Sequence, residues 1–220
     1  NNRSNLRSTM GDLAGAREDL DQAIALRPGY ALAHSNRSHV SLLGGDAQAA
    51  LVDAEEALRL DPKLALAHYN RAAARAALGR REEAVADLTR SLELDPNDPG
   101  VWVARGKERE LLHDDAGAIG DFGRAIQLAP NKPGGWRLRA MAYSRQGRTE
   151  EAQSDAARAL EVAPDDVDCL IAVAQLRMQR GDVRVALGEL DRAVALAPRR
   201  APLRCERAKA RHLAGDAVGA

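Results

Sequence analysis

Few side chains in this sequence are of the kinds that do acid–base, nucleophilic or metal chemistry, and they are not gathered. Five histidines (His34, His39, His68, His113 and His212) and two cysteines (Cys169 and Cys205) are scattered along 220 residues. A zinc site draws on three or four such ligands at short spacing; no CxxC pair and no histidine cluster occurs. No Gly-rich phosphate loop follows a strand, because no strand pattern is present. Asp114-Asp115 and Asp165-Asp166 stand where acids complement a helix N-terminus, and a calcium ion needs more oxygen ligands than such turns supply. Both cysteines read as buried or half-buried small residues. They do not fix a redox compartment, although a cytoplasmic setting is favoured over a secreted one. The sequence therefore predicts no catalytic residue, no metal and no cofactor.

The chemistry that does recur is ionic. Arg37, Arg71, Arg105 and Arg139 are each followed, 16 residues later, by Asp53, Asp87, Asp121 and Asp155. Arg3 and Asp19 begin the series, Arg207 carries it on, and Val173 with Glu189 is its one break. A regular Arg–carboxylate bridge, within a repeat or across to the next, explains such strict register. The alternative is a pair of solvated charges that happen to recur. Either role is structural.

The elements that must position these charges follow from proline. Pro28, Pro62, Pro96, Pro130, Pro164 and Pro198 are each 34 residues apart. With that proline at repeat position 32, full repeats span 31–64, 65–98, 99–132, 133–166 and 167–200, with partial repeats at 1–30 and 201–220. Position 20 is always alanine, from Ala16 through Ala84 and Ala118 to Ala220; positions 8 and 27 are always small. Position 15 is glycine except at His113. Positions 2–14 and 18–31 carry helix formers at three- and four-residue apolar spacing. The glycine ends the first helix in a left-handed conformation and the proline ends the second. Small residues at positions 8, 20 and 27 let antiparallel helices approach closely. Only 3% of residues are aromatic, so no core of large rings can be built.

Composition narrows the function. Lys+Arg and Asp+Glu are both 32, and this balance argues against nucleic acid and against an anionic membrane. No run of 18 apolar residues is present. The N-terminal residues are neither a signal peptide nor a natural start, so the chain reads as an excerpt from something longer.

The 34-residue period, the small residue at position 8, the glycine, the alanines and the proline resemble the tetratricopeptide repeat family over essentially the whole chain. The family's tryptophan at position 4 persists as Trp102 and Trp136 and becomes His34 and His68 elsewhere; its tyrosine at position 11 persists as Tyr143 and is arginine in five other repeats. The resemblance implies an all-α fold, a right-handed α-α superhelix in one solenoid spanning 1–220. It also implies a groove lined by first helices that binds a peptide segment of a partner protein. Carried over by position, the groove residues are Leu32, His39, Leu66 and Tyr69, then Val103, Lys107, Arg137, Met141, Arg145 and Gln175. The apolar N-terminal half gives way to a weakly basic half suited to acidic groups.

In that family, cochaperones that grip the acidic tails of heat-shock chaperones use a two-carboxylate clamp. Asn5 and Asn36 match its asparagines, but Asn1, Leu66 and Asn70 stand where it needs cations, and the clamp is rejected. The leading expectation is a protein-interaction scaffold. Two other readings stand: a non-catalytic tethering arm of a larger enzyme, and an RNA-binding helical repeat, which the 34-residue period and neutral charge disfavour. Terminal repeats without polar caps predict end-to-end self-association.

Overall fold

The computed structural model describes residues 2–215. Asn1 and residues 216–220, including the repeat alanine Ala220, lie outside the described residues, as do the side chains of Asn2, Asn5 and Pro202. Among the described residues there are thirteen α-helices and no strand.

Two compact units are present, 1–114 and 115–220. In the first, α1 (Asn2–Thr9) pairs with α2 (Leu13–Leu26), α3 (Ala31–Leu43) with α4 (Ala47–Leu60) and α5 (Ala65–Ala77) with α6 (Arg81–Leu94), and α7 (Pro99–Leu111) packs on α6. In the second, α8 (Asp115–Leu128) packs on α9 (Pro133–Arg145), which pairs with α10 (Thr149–Val162); α11 (Val167–Gln179) pairs with α12 (Val183–Leu196), which α13 (Ala201–Leu213) covers.

Each helix begins and ends one residue earlier than the repeat pattern suggests, and the backbone gives the reason. First helices occupy positions 1–13, because position 14 is already the C-cap and position 15 turns left-handed: Gly11, Gly45, Gly79, Gly147, Gly181 and Gly215 all have φ between +72° and +88°. His113 fills the same place at φ +62°, a conformation that a side chain bearing a Cβ adopts at a cost. Second helices stop at position 30, because proline at position 32 pushes the residue before it out of the helical region; Asp61, at φ −139° and ψ 94°, is one example. At the starts, Asp12 and Asp46 accept from the amides of Gly15 and Ala49 at 2.9 Å, satisfying donors no helix can satisfy itself.

The core is built of methyl groups. Ala16, Ala50, Ala84, Ala118, Ala152 and Ala186 are fully buried, as are Ala57, Ala140, Ala174 and Ala193 or nearly so. Ser38 at position 8 is equally buried and hands its hydroxyl to the Ala50 carbonyl at 2.7 Å. Larger side chains fill what the alanines leave, in small clusters such as Leu88, Leu92 and Val101 in the first unit and Phe122 with Ala118 and Ala142 in the second.

Ala84→Leu is expected to lower stability by about 1–3 kcal/mol through overpacking, read from the urea midpoint; an unchanged midpoint would show that position 20 does not face its partner helix. His113→Gly should act the other way and raise the midpoint, by about 0.5–1 kcal/mol, because relief of the left-handed strain exceeds glycine's unfolded-state entropy.

Candidate functional site

The position-23 carboxylates are buried: Asp19, Asp53, Asp87 and Asp155 are 3–7% exposed. A buried charge must be paired and hydrogen-bonded, and the position-7 arginines do this from the facing helix. Arg37, Arg71 and Arg139 donate through Nε and a terminal nitrogen to both oxygens of Asp53, Asp87 and Asp155, at 2.5–2.9 Å. Arg3 does the same for Asp19. These hydrogen bonds, more than any other influence, raise the arginines' already high pKa values, and the bond from Arg3 lowers that of Asp19. With its folded pKa depressed, Asp19 contributes stability above its ordinary value near 3.8 and loses it as pH falls through the folded value. Arg105 and Asp121 belong to different units. Within its own, Arg105 donates to Thr89 Oγ1 at 3.1 Å and lies 4.9 Å from the Trp102 ring centroid; Asp121 is buried in α8.

Sequence reasoning missed the part played by position 11. Arg75 donates to Asp87 at 2.8 Å and Arg7 to Asp19 at 3.2 Å, each a second guanidinium on the same carboxylate. This explains the break at Val173. With no arginine at position 7, Arg177 at position 11 takes over, and the longer Glu189 meets it at 2.6 Å. The spacing of 12 between these residues was the available signal. Tyr143 occupies position 11 in the preceding repeat and places its ring 5.7 Å from the Arg139 guanidinium.

Position 4 is more than packing. Trp102 and Trp136 donate Nε1–H to the carbonyls of Pro96 and Pro130 at 2.8 and 2.9 Å. His34 and His68 bring Nε2 to those of Pro28 and Pro62 at 3.2 and 3.0 Å; since a carbonyl only accepts, Nε2 carries the proton. Leu170 cannot donate, and Arg192 reaches the Pro164 carbonyl instead at 3.1 Å. Asn70 ties α5 to α3, donating to the carbonyl and hydroxyl of Ser35 at 2.8 and 3.0 Å.

In the first unit, the first-helix face holds two adjoining cavities. One, of about 340 Å³, is floored by Ala72, Ala73 and Ala76 and flanked by Tyr69, Val103 and Lys107. The other, of about 240 Å³, lies between Leu66, Tyr69 and Gly100, with Asp95 and Asp98 on its rim. Tyr69 lines both; burial, and then the charge of Asp98, raises its phenol pKa. Lys107 is exposed and has no salt-bridge partner among the described residues. Leu32 is half-buried and His39 exposed on α3, and neither lines these two cavities. In the second unit, Arg137, Met141 and Gln175 are half-buried on first helices. Arg145 is not the open cation that its groove position suggests: Asp115, thirty residues earlier, accepts from its Nε at 3.1 Å.

The scattered nucleophiles and acids stay scattered. Among the described residues no three His, Cys, Asp or Glu side chains converge as metal ligands. Cys169 is buried, and burial followed by the hydrogen bond with Asp166 pushes its thiol up to about 12. Cys205 corrects the expectation of burial: it is exposed on α13, the last described helix, whereas Ser35 at the same repeat position is buried against α5. Asp166 caps α11 by accepting from the Cys169 amide at 2.8 Å, and Asp165 pairs with Arg192 at 3.3 Å. No described helix is long and apolar enough to cross a membrane.

Three family models match, each described as a tetratricopeptide repeat, over residues 2–65, 65–98 and 133–176. No curated protein matches the chain. Among solved structures, the chain is similar to the APC/C hetero-tetramer Cut9–Hcn1, with a TM-score of 0.80 and 19% identity over 93% of this chain and 41% of that one. The chain thus spans about two fifths of that relative. It is also similar to a tetratricopeptide repeat protein from Parabacteroides merdae (TM-score 0.79, 21% identity, 98% and 85% of the two chains). YrrB, described as having an unusual peptide-binding site, matches with a TM-score of 0.67 and 21% identity over 88% and 99%. At these identities the likeness shows the fold, an all-α stack of helix-turn-helix repeats.

Removing one buried carboxylate strands the Arg71 guanidinium and leaves Arg75 with Glu83 alone. Asp87→Ala is therefore expected to destabilise by about 3–5 kcal/mol, whereas Arg71→Met with Asp87→Leu should recover much of the loss, since Arg75 keeps Glu83 at 3.4 Å. Urea unfolding of Asp87→Leu, of Arg71→Met and of the double variant closes the cycle; strictly additive effects would mark the charges as independent.

Proposed function

The chain belongs to the tetratricopeptide repeat family, and from that premise we propose that it is a non-catalytic scaffold holding an extended segment of a partner protein along its first-helix faces. The unbroken 34-residue register is read as one array.

The observation that carries this reading is the 340 Å³ cavity between α5 and α7. Its alanine floor offers apolar contact and no hydrogen bond, so it rewards burial of a partner's hydrophobic side chain, at about 25 cal/mol per Å². Tyr69 gives a rigid amphipathic wall of the kind found in binding hot spots. Lys107 at the edge of the cavity has its charge uncommitted and suits a carboxylate close to that side chain. Arg137, likewise without a salt bridge among the described residues, favours acidic groups further along the partner, as does Leu66 the apolar ones. Arg145 contributes less to this preference because Asp115 already partners it. A tethering arm of a larger enzyme would use the same surface, whereas the balanced charge disfavours an RNA-binding repeat.

Selection from a displayed peptide library against the purified chain supplies the probe. Tyr69→Ala is expected to weaken the selected peptide about tenfold, mainly through faster dissociation. Lys107→Ala with Arg137→Ala should instead slow association and flatten its salt dependence. Val52 is exposed on the second helix α4, and Val52→Asp should change nothing. Loss of binding on Val52→Asp, with both groove variants binding like the parent, would sink the groove assignment.

A further inference from the structure

The break in the arginine series opens a cavity on a face that the proposed groove does not use. Elsewhere a position-7 arginine reaches position 25 of the repeat before: Arg37 donates to Asp21 at 2.7 Å as well as to Asp53, Arg105 to Thr89 at 3.1 Å and Arg207 to Asp191 at 3.4 Å. In the sixth repeat Val173 stands there and faces Ala157, so neither a guanidinium nor an acceptor fills the gap. Position 24 deepens it, because Ala156, like Ala54 of the second repeat, stands where four other repeats carry the larger Leu20, Leu88, Phe122 and Leu190. The result is a cavity of about 280 Å³ between α10 and α11, walled by Ala156, Leu160, Val173 and Leu176. Through Leu176, Gln153 and Arg180 it adjoins a hollow of about 70 Å³.

We propose that this cavity binds a small hydrophobic carboxylic acid, with its apolar body in the vacated arginine slot and its carboxylate on Arg180. Ala156, Leu160, Val173 and Leu176 reward apolar burial, with Gln153 the one uncharged polar side chain of the lining, and the volume is near the lower end of ligand pockets, enough for one ring and a short chain. The rim selects charge. Arg177 and Arg180 line it against a single carboxylate, Asp182. Arg177 is committed to Glu189 at 2.6 Å. Arg180 is half exposed and its ion pair with Asp182 is stretched to 4.0 Å, beyond hydrogen-bond length, so its donors are open to a second anion. An apolar group without the acid would have nothing to orient it, and a polar group without the ring would gain nothing from the walls.

The site is tested on the whole chain by titrating 3-phenylpropionate, and separately its neutral amide, into the ¹⁵N-labelled protein. The acid should give saturable amide shifts confined to residues 153–182, with a dissociation constant of about 1 mM or tighter. The amide should bind about tenfold more weakly, the difference a charge-assisted hydrogen bond makes. Ala156→Leu places in the slot the leucine that other repeats carry there, and should abolish the shifts. Arg180→Gln leaves the core untouched, so even if the first variant folds poorly, the second should reduce the acid to the affinity of the amide. Equal binding of acid and amide overturns the proposal, as do shifts that survive in folded Ala156→Leu, or the absence of any saturable response. Shifts centred on Tyr69 and Val103 would assign the acid to the groove and overturn it equally, while leaving the groove reading intact.

Discussion

A carboxylate that sits between two helices, almost without water, cannot be left alone. Asp53, Asp87 and Asp155 are each in that position, and much of the surrounding sequence answers to them. The bidentate arginine from the facing helix neutralises the charge and consumes both oxygens, the arginine at position 11 adds a second donor where it is present, and the alanines keep the helices near enough for these bonds to form. Replacing a buried pair with apolar side chains of similar volume is often neutral or stabilising, so raw stability is a weak account of why the pair recurs. Register is a better one. A helix displaced along its partner by one residue would break two short hydrogen bonds and strand a charge, whereas alanine packing against alanine would hardly register the slip.

The same economy of volume explains how the repeat tolerates the loss of most of its aromatic residues. The carbonyl at the lattice proline needs a donor, and tryptophan is only one way to supply it. Histidine does so with Nε2, and in the repeat where Leu170 has no donor, an arginine from the following helix crosses over. The polar task is preserved while the side chain that performs it changes. A ring such as Trp102 adds a face on which Arg105 rests, so the substitution to histidine alters packing more than hydrogen bonding.

The sequence made the period, the helix pairs and the left-handed turn legible because each has a residue with a specific backbone preference: glycine for positive φ, proline for a terminus, alanine for close approach. The partnership of charges 16 apart was visible for the same reason, recurrence. Less was legible where an interaction occurs once. Nothing in the local sequence of Arg145 announces Asp115 as its partner, and Val173 marked an irregularity without revealing that Arg177 and a longer carboxylate repair it. Cavities were the least legible of all. Ala73 and Ala76 look like the alanines that bring helices together, and only the positions of α5 and α7 show that they line a cavity instead. Cys205 misled differently: cysteine is usually buried, as Ser35 at the same repeat position is, but Cys205 stands on the last described helix.

From this division it follows where individuality resides. Positions 8, 20, 23 and 27 are bound to the task of pairing helices, and a change there is felt as a loss of fold before it can be felt as a change of partner. Positions 2, 5, 9 and 12 are freer of that duty, which is why Tyr69 and Val103 can differ from their counterparts at position 5 in every other repeat. The sixth repeat adds a second kind of freedom. Because Arg177 pairs with the half-buried Glu189, position 7 is released from its structural role, and the space its arginine would have filled is left to the surface. A repeat array built from near-identical hairpins thus gains specific features in two ways, by varying what the pairing does not use and by satisfying the pairing through an alternative residue.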